Sequence, residues 1–262
     1  MPELPDVENF RRYLDATSLH RKITEVEVAD AAVLRKISAG RLSSSIQDRK
    51  FESTERLGKY IFVNLDNGQV LMMHFGMSGF LKYFSKSGSR PPHARVLFGF
   101  SNGYTLAYDC QRKLGRIRLA DDMESIIREK GLGLDAMDPG LGLKRFRRIM
   151  GRRRGMIKTA LMNQSAISGI GNIYSDEILF QAGIHPERKL EKISDDELKR
   201  VYRMMKRVLG TATERKANPD NYPPSYLAPL REEGSECPGC GGRVEKIKVN
   251  NRGTYLCPRC QN

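Results

Sequence analysis

Four of the five cysteines form two C-x-x-C pairs, which is a spacing typical of metal sites. The pairs are Cys237/Cys240 and Cys257/Cys260, and 16 residues separate them. Thiolates two residues apart can face one tetrahedral metal ion from one tight turn, and a second such turn completes a four-cysteine site. Two disulfides in a secreted chain are the alternative, but nothing in the sequence indicates secretion. The spacing therefore predicts one structural zinc ion.

The beginning of the sequence could supply a nucleophile. A small second residue such as Pro2 normally leads to removal of Met1, which would leave a free secondary amine on Pro2. Such an amine can attack an aldehyde-like carbon and form an iminium ion. The adjacent Glu3 could supply a proton. Taken alone, the pattern favours an N-terminus without a chemical role, because most N-terminal prolines are inert.

The charge of the chain favours a polyanionic partner. Its 45 Lys and Arg against 31 Asp and Glu give a net charge of +14 in 262 residues. Nucleic acid is the usual partner of such a protein, although a solvated surface or an acidic membrane remains an alternative. The densest segment, 143–160, contains no acidic residue. Its eight basic residues are Lys144, Arg145, Arg147, Arg148, Arg152, Arg153, Arg154 and Lys158.

A glycine-containing segment, 168–174, precedes an expected helix. Glycines at the entrance of a helix let the backbone approach a phosphate, and the helix N-terminus favours an anion. An ordinary turn with Asn172 as the N-cap residue is equally compatible with the sequence.

The remaining pattern predicts an α+β chain of several domains. A helix is expected over 3–20, and β-runs joined by Asn-Gly turns follow, which suits a sandwich or flattened barrel over 1–130. Residues 131–139 are predicted to be a linker, 131–230 a helical domain and 231–262 the zinc segment. The expected strands are 23–28, 60–65, 70–74, 96–100 and 104–108, and the expected helices are 144–150, 156–163, 174–182 and 195–211, the last with a capping box at Ser194.

No stretch approaches the ~18 apolar residues of a membrane span, and residues 1–6 do not begin a signal peptide. Cys110, the fifth cysteine, is expected to be a buried small apolar residue. No targeting segment is therefore predicted. We further expect a monomer in the cytoplasm of a prokaryote, near the nucleoid.

Five segments in order resemble the formamidopyrimidine-DNA glycosylase and endonuclease VIII family, with formamidopyrimidine-DNA glycosylase the more similar branch. They are Met1-Pro2-Glu3-Leu4-Pro5-Asp6-Val7-Glu8, Arg56-Leu57-Gly58-Lys59-Tyr60, His74-Phe75-Gly76-Met77-Ser78-Gly79, Gly169-Ile170-Gly171-Asn172-Ile173-Tyr174 and Arg252-Gly253-Thr254-Tyr255-Leu256-Cys257-Pro258-Arg259-Cys260-Gln261. The resemblance covers essentially the whole chain. It implies an N-terminal β-sandwich with a leading helix, a helix–two-turn–helix domain and a C-terminal four-cysteine zinc finger.

The resemblance also implies a bifunctional base-excision repair enzyme, a DNA glycosylase and AP lyase acting on damaged double-stranded DNA. Pro2 resembles the nucleophile that attacks C1′, and Glu3 resembles the proton donor to the opening sugar. Lys59 resembles the lysine that assists β-elimination, and Arg252 the arginine that grips the phosphate during δ-elimination. One structural zinc ion is implied, with no catalytic metal and no organic cofactor.

The same resemblance implies DNA contacts. Met77, Arg112 and Leu114 are expected to fill the gap left by a flipped base. The positions expected to contact phosphates are His74, His93, Arg154, Lys158 and Asn172.

Three departures from the family pattern leave the lesion open. Asp6 stands where Glu is usual, residues 110–115 replace Asp-Pro-Arg-Arg-Phe-Gly, and segment 217–236 lacks the glycine-rich sequence that closes over 8-oxoguanine. Oxidised purines and formamidopyrimidines are the expected substrates, and oxidised pyrimidines or abasic sites are the alternatives. A non-catalytic binder of damaged DNA and a zinc-ribbon RNA-binding protein are further alternatives, the last disfavoured by an aromatic content of 8% with no Trp.

Overall fold

The computed structural model describes residues 1–85 and 88–262. They form two compact units, one of Met1–Pro2 with Asp6–Lys130 and one of Glu3–Pro5 with Gly131–Asn262. The tripeptide Glu3–Pro5 thus belongs to the unit that contains the C-terminal half of the chain. Within the described residues, no helix is long and apolar enough to cross a membrane.

The first unit contains two four-stranded sheets, with strand orders β1-β6-β7-β5 and β2-β3-β4-β8. Its elements are α1 (Leu4–Ser18, whose first two residues belong to the second unit), β1 (Ile23–Val28), α2 (Ala39–Ile46), β2 (Phe51–Leu57), β3 (Tyr60–Leu65), β4 (Val70–His74), β5 (Phe80–Ser85), β6 (Ala94–Phe100), β7 (Tyr104–Asp109), β8 (Arg116–Ala120) and α3 (Met123–Lys130).

The two sheets share one core, as expected of a sandwich. Val96 and Leu106 of the first sheet belong to the same buried cluster as Ile61 and Leu71 of the second. Phe62 instead lies in a separate cluster with Met72 and Ile126 of α3. Strands β3 and β4 are therefore apolar on both faces, which explains their uninterrupted hydrophobic runs. Cys110 is buried in the shared core, as predicted.

Sequence patterning located five strands of this unit and missed three, β2, β5 and β8. β2 has the sequence FESTERL and buries only Phe51, so its charged outer residues obscure any apolar alternation. It lies at the edge of its sheet and is held by backbone pairing to β3. Exposed charges are a usual feature of edge strands because they discourage pairing with other chains.

The second unit is helical and ends in a hairpin. Its elements are β9 (Leu134–Asp135), α4 (Leu143–Gly151), α5 (Ile157–Leu161), β10 (Ile167–Ser168), α6 (Asn172–Ala182), α7 (Asp195–Glu214), β11 (Glu245–Val249) and β12 (Arg252–Leu256). The capping box at the start of α7 is confirmed, because Ser194 accepts from the Glu197 amide and Glu197 accepts from the Ser194 amide. Helices α4–α7 bury one continuous apolar core, which also includes Leu4.

The predicted linker over 131–139 is wrong in part. β9 pairs in parallel with β10, and Asp135 and Ala136 are buried. Asp135 accepts a hydrogen bond from the Met137 amide at 2.8 Å. The Gly, Asp and Pro residues of this segment therefore build an ordered turn next to β10, which their composition alone did not distinguish from a flexible connection.

Candidate active site and nucleic-acid interface

The carboxylate of Glu3 occupies the N-terminus of α6. Glu3 Oε2 accepts hydrogen bonds from the amides of Gly171 at 2.7 Å and Tyr174 at 3.3 Å, and Oε1 accepts from Ile173 at 2.9 Å. The residue is 1% exposed. Helix N-termini carry unsatisfied N–H groups and partial positive charge, both of which favour a carboxylate. The chain thus places its own anion at the helix entrance.

This geometry corrects both interpretations of the glycine-containing segment. The amides expected to receive a phosphate donate to Glu3 instead, and the N-cap residue of α6 is Gly171 rather than Asn172. A Cβ atom on Gly171 would overlap the Glu3 carboxyl group, and one on Gly169 would lie 2.6 Å from Leu4 Cδ1. The glycines therefore allow Glu3 and Leu4 to pack against the start of α6.

Lys59 lies in the tight turn between β2 and β3. Gly58 takes a φ of +59°, and Leu57 pairs with Tyr60, so Gly58-Lys59 is a two-residue hairpin loop of the type that needs glycine first. Lys59 is 7% exposed and lies two residues after the end of β2, the edge strand that sequence patterning missed.

His74 ends β4 opposite Tyr60, and the two ring centroids are 4.8 Å apart. Burial, reinforced by Lys59, Lys130 and Arg116, lowers the pKa of His74 to about 4. The imidazole is therefore neutral near pH 7. Its Nδ1 accepts from the Gly76 amide at 3.3 Å, which leaves the proton on Nε2. Any phosphate contact by His74 would be a neutral hydrogen bond.

The three expected wedge residues lie on two loops of the first unit. Met77 and Leu114 are each 43% exposed, and Arg112 is exposed. A Cβ on Gly76 would lie 2.5 Å from the backbone carbon of Leu114, so the two loops are in contact. Two adjacent loops thus present large apolar side chains to solvent, the arrangement needed to enter a base stack. His93 is half-buried, and its amide donates to Asp109 at 2.9 Å.

The expected phosphate-contacting residues of the second unit have different environments. The side chain of Arg154 is 83% exposed, and its Nη1 lies 3.7 Å from Glu191 Oε1, a long ion pair. Asn172 donates from Nδ2 to the Gly253 carbonyl at 2.9 Å. The geometry of Lys158 differs from the expectation of direct contact: it is 1% exposed and its Nζ lies 2.6 Å from Asp176 Oδ1. Its charge is neutralised inside the protein.

Arg252 is exposed at the first position of β12. It follows Asn250 and Asn251, whose φ values of +46° and +61° form a two-residue turn of the type that Asn favours. Arg252, Asn250 and Lys158 line a cavity of about 250 Å³ within the second unit.

The four predicted zinc ligands converge. The Sγ atoms of Cys237, Cys240, Cys257 and Cys260 all lie within 4.8 Å of one another. Two of the Sγ–Sγ distances are 3.7 Å and 3.6 Å. A tetrahedron of zinc–sulfur bonds of about 2.3 Å requires sulfur atoms about 3.8 Å apart. The donor set and its spacing therefore fit a structural zinc ion.

Sequence reasoning missed Asp176, the buried partner of Lys158. It also missed Arg231 and Thr254, which contact this pair. The available signal was an acidic pair, Asp176-Glu177, within α6, where eight of 11 residues are buried. A buried carboxylate requires a cation or several donors.

The described residues thus form a sandwich unit and a helical unit that ends in a four-cysteine hairpin. Family models for the formamidopyrimidine-DNA glycosylase N-terminal domain, its H2TH domain and the zinc finger found in FPG and IleRS match residues 1–117, 132–220 and 234–262. The chain belongs to the formamidopyrimidine-DNA glycosylase family.

Relatives and solved structures agree with this membership. The chain is 36% identical to the formamidopyrimidine-DNA glycosylase of Pelotomaculum thermopropionicum and 34% identical to that of Streptococcus mutans, over 100% of this chain and 99% of each relative. It is similar to Lactococcus lactis Fpg bound to DNA containing N7-benzyl-Fapy-dG, with a TM-score of 0.89, 27% identity and full coverage of both chains. A complex of that protein with DNA containing an AP site gives a TM-score of 0.90 at 26% identity, again with full coverage.

Proposed function

We propose that this protein is a bifunctional base-excision repair enzyme, a DNA glycosylase and AP lyase that removes 8-oxoguanine and formamidopyrimidines from double-stranded DNA. The observation that carries the proposal is the buried Glu3 carboxylate, held by three amides at the start of α6 directly after Pro2. This arrangement fixes a proton donor beside a potential secondary amine. The relatives are named formamidopyrimidine-DNA glycosylases, which agrees with the glycosylase part of this activity.

The reaction begins with attack of the Pro2 nitrogen on C1′ of the damaged nucleotide. The glycosidic bond breaks and the base departs. The Glu3 carboxylate takes up the proton that the Pro2 nitrogen loses and donates it to the sugar ring oxygen as the ring opens. The resulting iminium ion at C1′ acidifies the C2′ proton. Lys59 assists removal of that proton, and the 3′ phosphate leaves in β-elimination. Arg252 holds the 5′ phosphate, which leaves in δ-elimination.

Borohydride trapping on duplex DNA with an abasic site tests this function. Reduction of the iminium ion should link the protein covalently to the DNA. A non-catalytic binder with the same basic surface would bind the duplex but form no adduct. A panel of 8-oxoguanine, formamidopyrimidine, thymine glycol and dihydrouracil duplexes then separates purine specificity from the endonuclease VIII-like alternative.

Zinc is proposed to be the single structural metal ion, and the protein is proposed to need no catalytic metal or organic cofactor. Four thiolates leave no open position for a metal-bound water. Chelation is expected to disorder residues 237–260 and to weaken binding to abasic DNA, measured by proteolysis and fluorescence anisotropy. The matched variant Arg252→Ala should keep zinc and lose strand cleavage. Normal cleavage by metal-free protein would contradict a structural role.

Leu114 is proposed to fill the gap left by the flipped base. Leu114→Ala should barely change binding to undamaged duplex but should lose excision of paired lesions. Cleavage of preformed abasic sites should suffer less, because an unpaired site costs less to extrude. Rates measured on the two substrates check this difference. Equal losses on both would mean that Leu114 is not the wedge.

Arg154 is proposed to contact phosphate without reading sequence or damage. Arg154→Ala should weaken binding to damaged and undamaged duplex alike and lower the slope of log K against log salt by about one. Lys82→Ala is the control, because it removes an exposed positive charge of β5 that is not among the proposed DNA contacts. It should leave the slope unchanged. Titrations at several salt concentrations measure the slope, and a loss confined to damaged DNA would contradict the assignment.

The remaining site assignments are part of the same proposal. His74, His93, Met77, Arg112 and Asn172 are proposed to contact DNA. Domain boundaries near residues 130 and 230, a monomeric state and a location with the nucleoid in a prokaryotic cytoplasm likewise remain predictions.

A further inference from the structure

The three residues after Arg252 are each held by a side chain of the helical domain. Asn172 donates to the Gly253 carbonyl at 2.9 Å, and Lys158 Nζ lies 2.5 Å from Thr254 Oγ1. The amide of Tyr255 donates to Asp176 Oδ2 at 3.1 Å. Three consecutive positions of β12 are therefore fixed to α5 and α6.

A fourth hydrogen bond joins Thr254 to Arg252. Thr254 Oγ1 accepts from Lys158 and donates to the Arg252 carbonyl at 3.1 Å. The Arg252 side chain itself makes no ion pair or hydrogen bond within residues 1–85 and 88–262. Its location thus depends on how its backbone is held.

Asp176 connects these bonds. It is fully buried, with Lys158 Nζ 2.6 Å from Oδ1 and Arg231 Nη2 2.7 Å from Oδ2. The Arg231 guanidinium lies 4.9 Å from the centroid of the Tyr255 ring. Burial lowers the pKa of Lys158 and the Asp176 carboxylate opposes this. Removing that carboxylate would leave two cations without their anion, and Lys158 would lose the group that aims it at Thr254.

We propose that Asp176 is a positioning residue for Arg252, acting through Lys158, Thr254 and Tyr255. It fixes the start of β12 so that the exposed guanidinium meets the 5′ phosphate during δ-elimination. This inference rests on the proposed function. According to this proposal, the helical domain and not zinc alone determines where Arg252 of the zinc finger lies.

Asp176→Asn tests the role by the ratio of two products. The amide keeps the shape of the side chain but removes its charge. On abasic duplex, the δ-elimination product should fall at least tenfold relative to the β-elimination product, while borohydride trapping stays within threefold of the unaltered protein. Bound zinc, measured by metal analysis, should remain at the unaltered level.

Glu197→Gln is the matched control for loss of an ion pair. Glu197 is paired with Arg188 at 2.7 Å in the same unit, and among the described residues its hydrogen bonds and ion pairs are with Arg188, Ser194 and Arg200. It should leave the product ratio unchanged even if its melting temperature falls. An unchanged ratio in Asp176→Asn, or an equal change in Glu197→Gln, would overturn the proposal.

Thr254 provides a second test if Asp176→Asn does not fold. Thr254→Val removes the hydroxyl that joins Lys158 to the Arg252 carbonyl, and Thr254→Ser retains it. The valine variant should accumulate β-product and the serine variant should restore the δ-product; identical ratios in both would contradict the mechanism. An unaltered protein that forms no adduct and no cleaved DNA would instead refute the proposed function itself.

Discussion

Blocking the Pro2 amine is expected to abolish covalent trapping on abasic DNA. A residue retained before Pro2 converts its nitrogen into an amide, which can form no iminium ion. Removing a covalent nucleophile costs many enzymes at least about 10³-fold in rate. Base excision should therefore fall by a comparable factor. Single-turnover excision of 8-oxoguanine, with borohydride trapping in parallel, measures both effects.

A cleavable N-terminal extension supplies the control for this experiment. The same preparation before and after cleavage differs only at the terminus, so binding to abasic duplex should be similar while trapping returns on cleavage. Pro2→Gly should also sharply reduce base excision, because a primary amine replaces the secondary one. Full excision by the extended protein would show that Pro2 is not the nucleophile.

Glu3→Gln is expected to reduce base excision by about 10²–10⁴-fold, the usual contribution of a positioned general acid. The amide side chain keeps the shape of the carboxyl group but cannot supply the proton. Because the Glu3 carboxylate also accepts hydrogen bonds from three backbone amides at the start of α6, the Gln variant should lose some thermal stability as well. Excision rates and melting curves separate the two losses.

Gly171→Ala tests whether the position of Glu3 matters as much as its identity. The added methyl group would overlap the Glu3 carboxyl group and force it from the start of α6. Excision should fall although every proposed catalytic residue is retained. Gly40→Ala, where a Cβ meets nothing within 4 Å, is the control and should keep full activity. Wild-type excision by Gly171→Ala would show that the contact does not govern proton donation.

Local sequence signals were sufficient where the determining interaction is short in sequence. The capping box of Ser194 and Glu197 acts over three residues, and the Asn-Gly turns join strands that pair directly, β3 with β4 and β6 with β7. The two C-x-x-C pairs predicted four converging thiolates for the same reason, since each pair is confined to one turn.

Patterning failed where backbone pairing or burial overrides side-chain periodicity. Every residue of β2 between Phe51 and Leu57 is charged or carries a hydroxyl, yet the amides and carbonyls of this strand pair with β3. β9 has only two residues and exists because β10, distant in sequence, lies beside it. Neither strand has an alternation that a local window could detect.

The amino-acid sequence itself determined which chemical groups this protein has. They are Pro2 and Glu3 at the start, Lys59 after a turn glycine, Arg252 in a zinc finger, and an excess of basic residues suited to DNA. The environments of two charged residues, Glu3 and Lys158, became visible in the folded chain alone. Glu3 meets amides about 170 residues away and fills the helix entrance that was predicted to receive phosphate. Lys158 is buried against Asp176 rather than exposed with its basic neighbours. Both outcomes follow from long-range electrostatics, because a buried charge must find its partner wherever the fold brings one within reach.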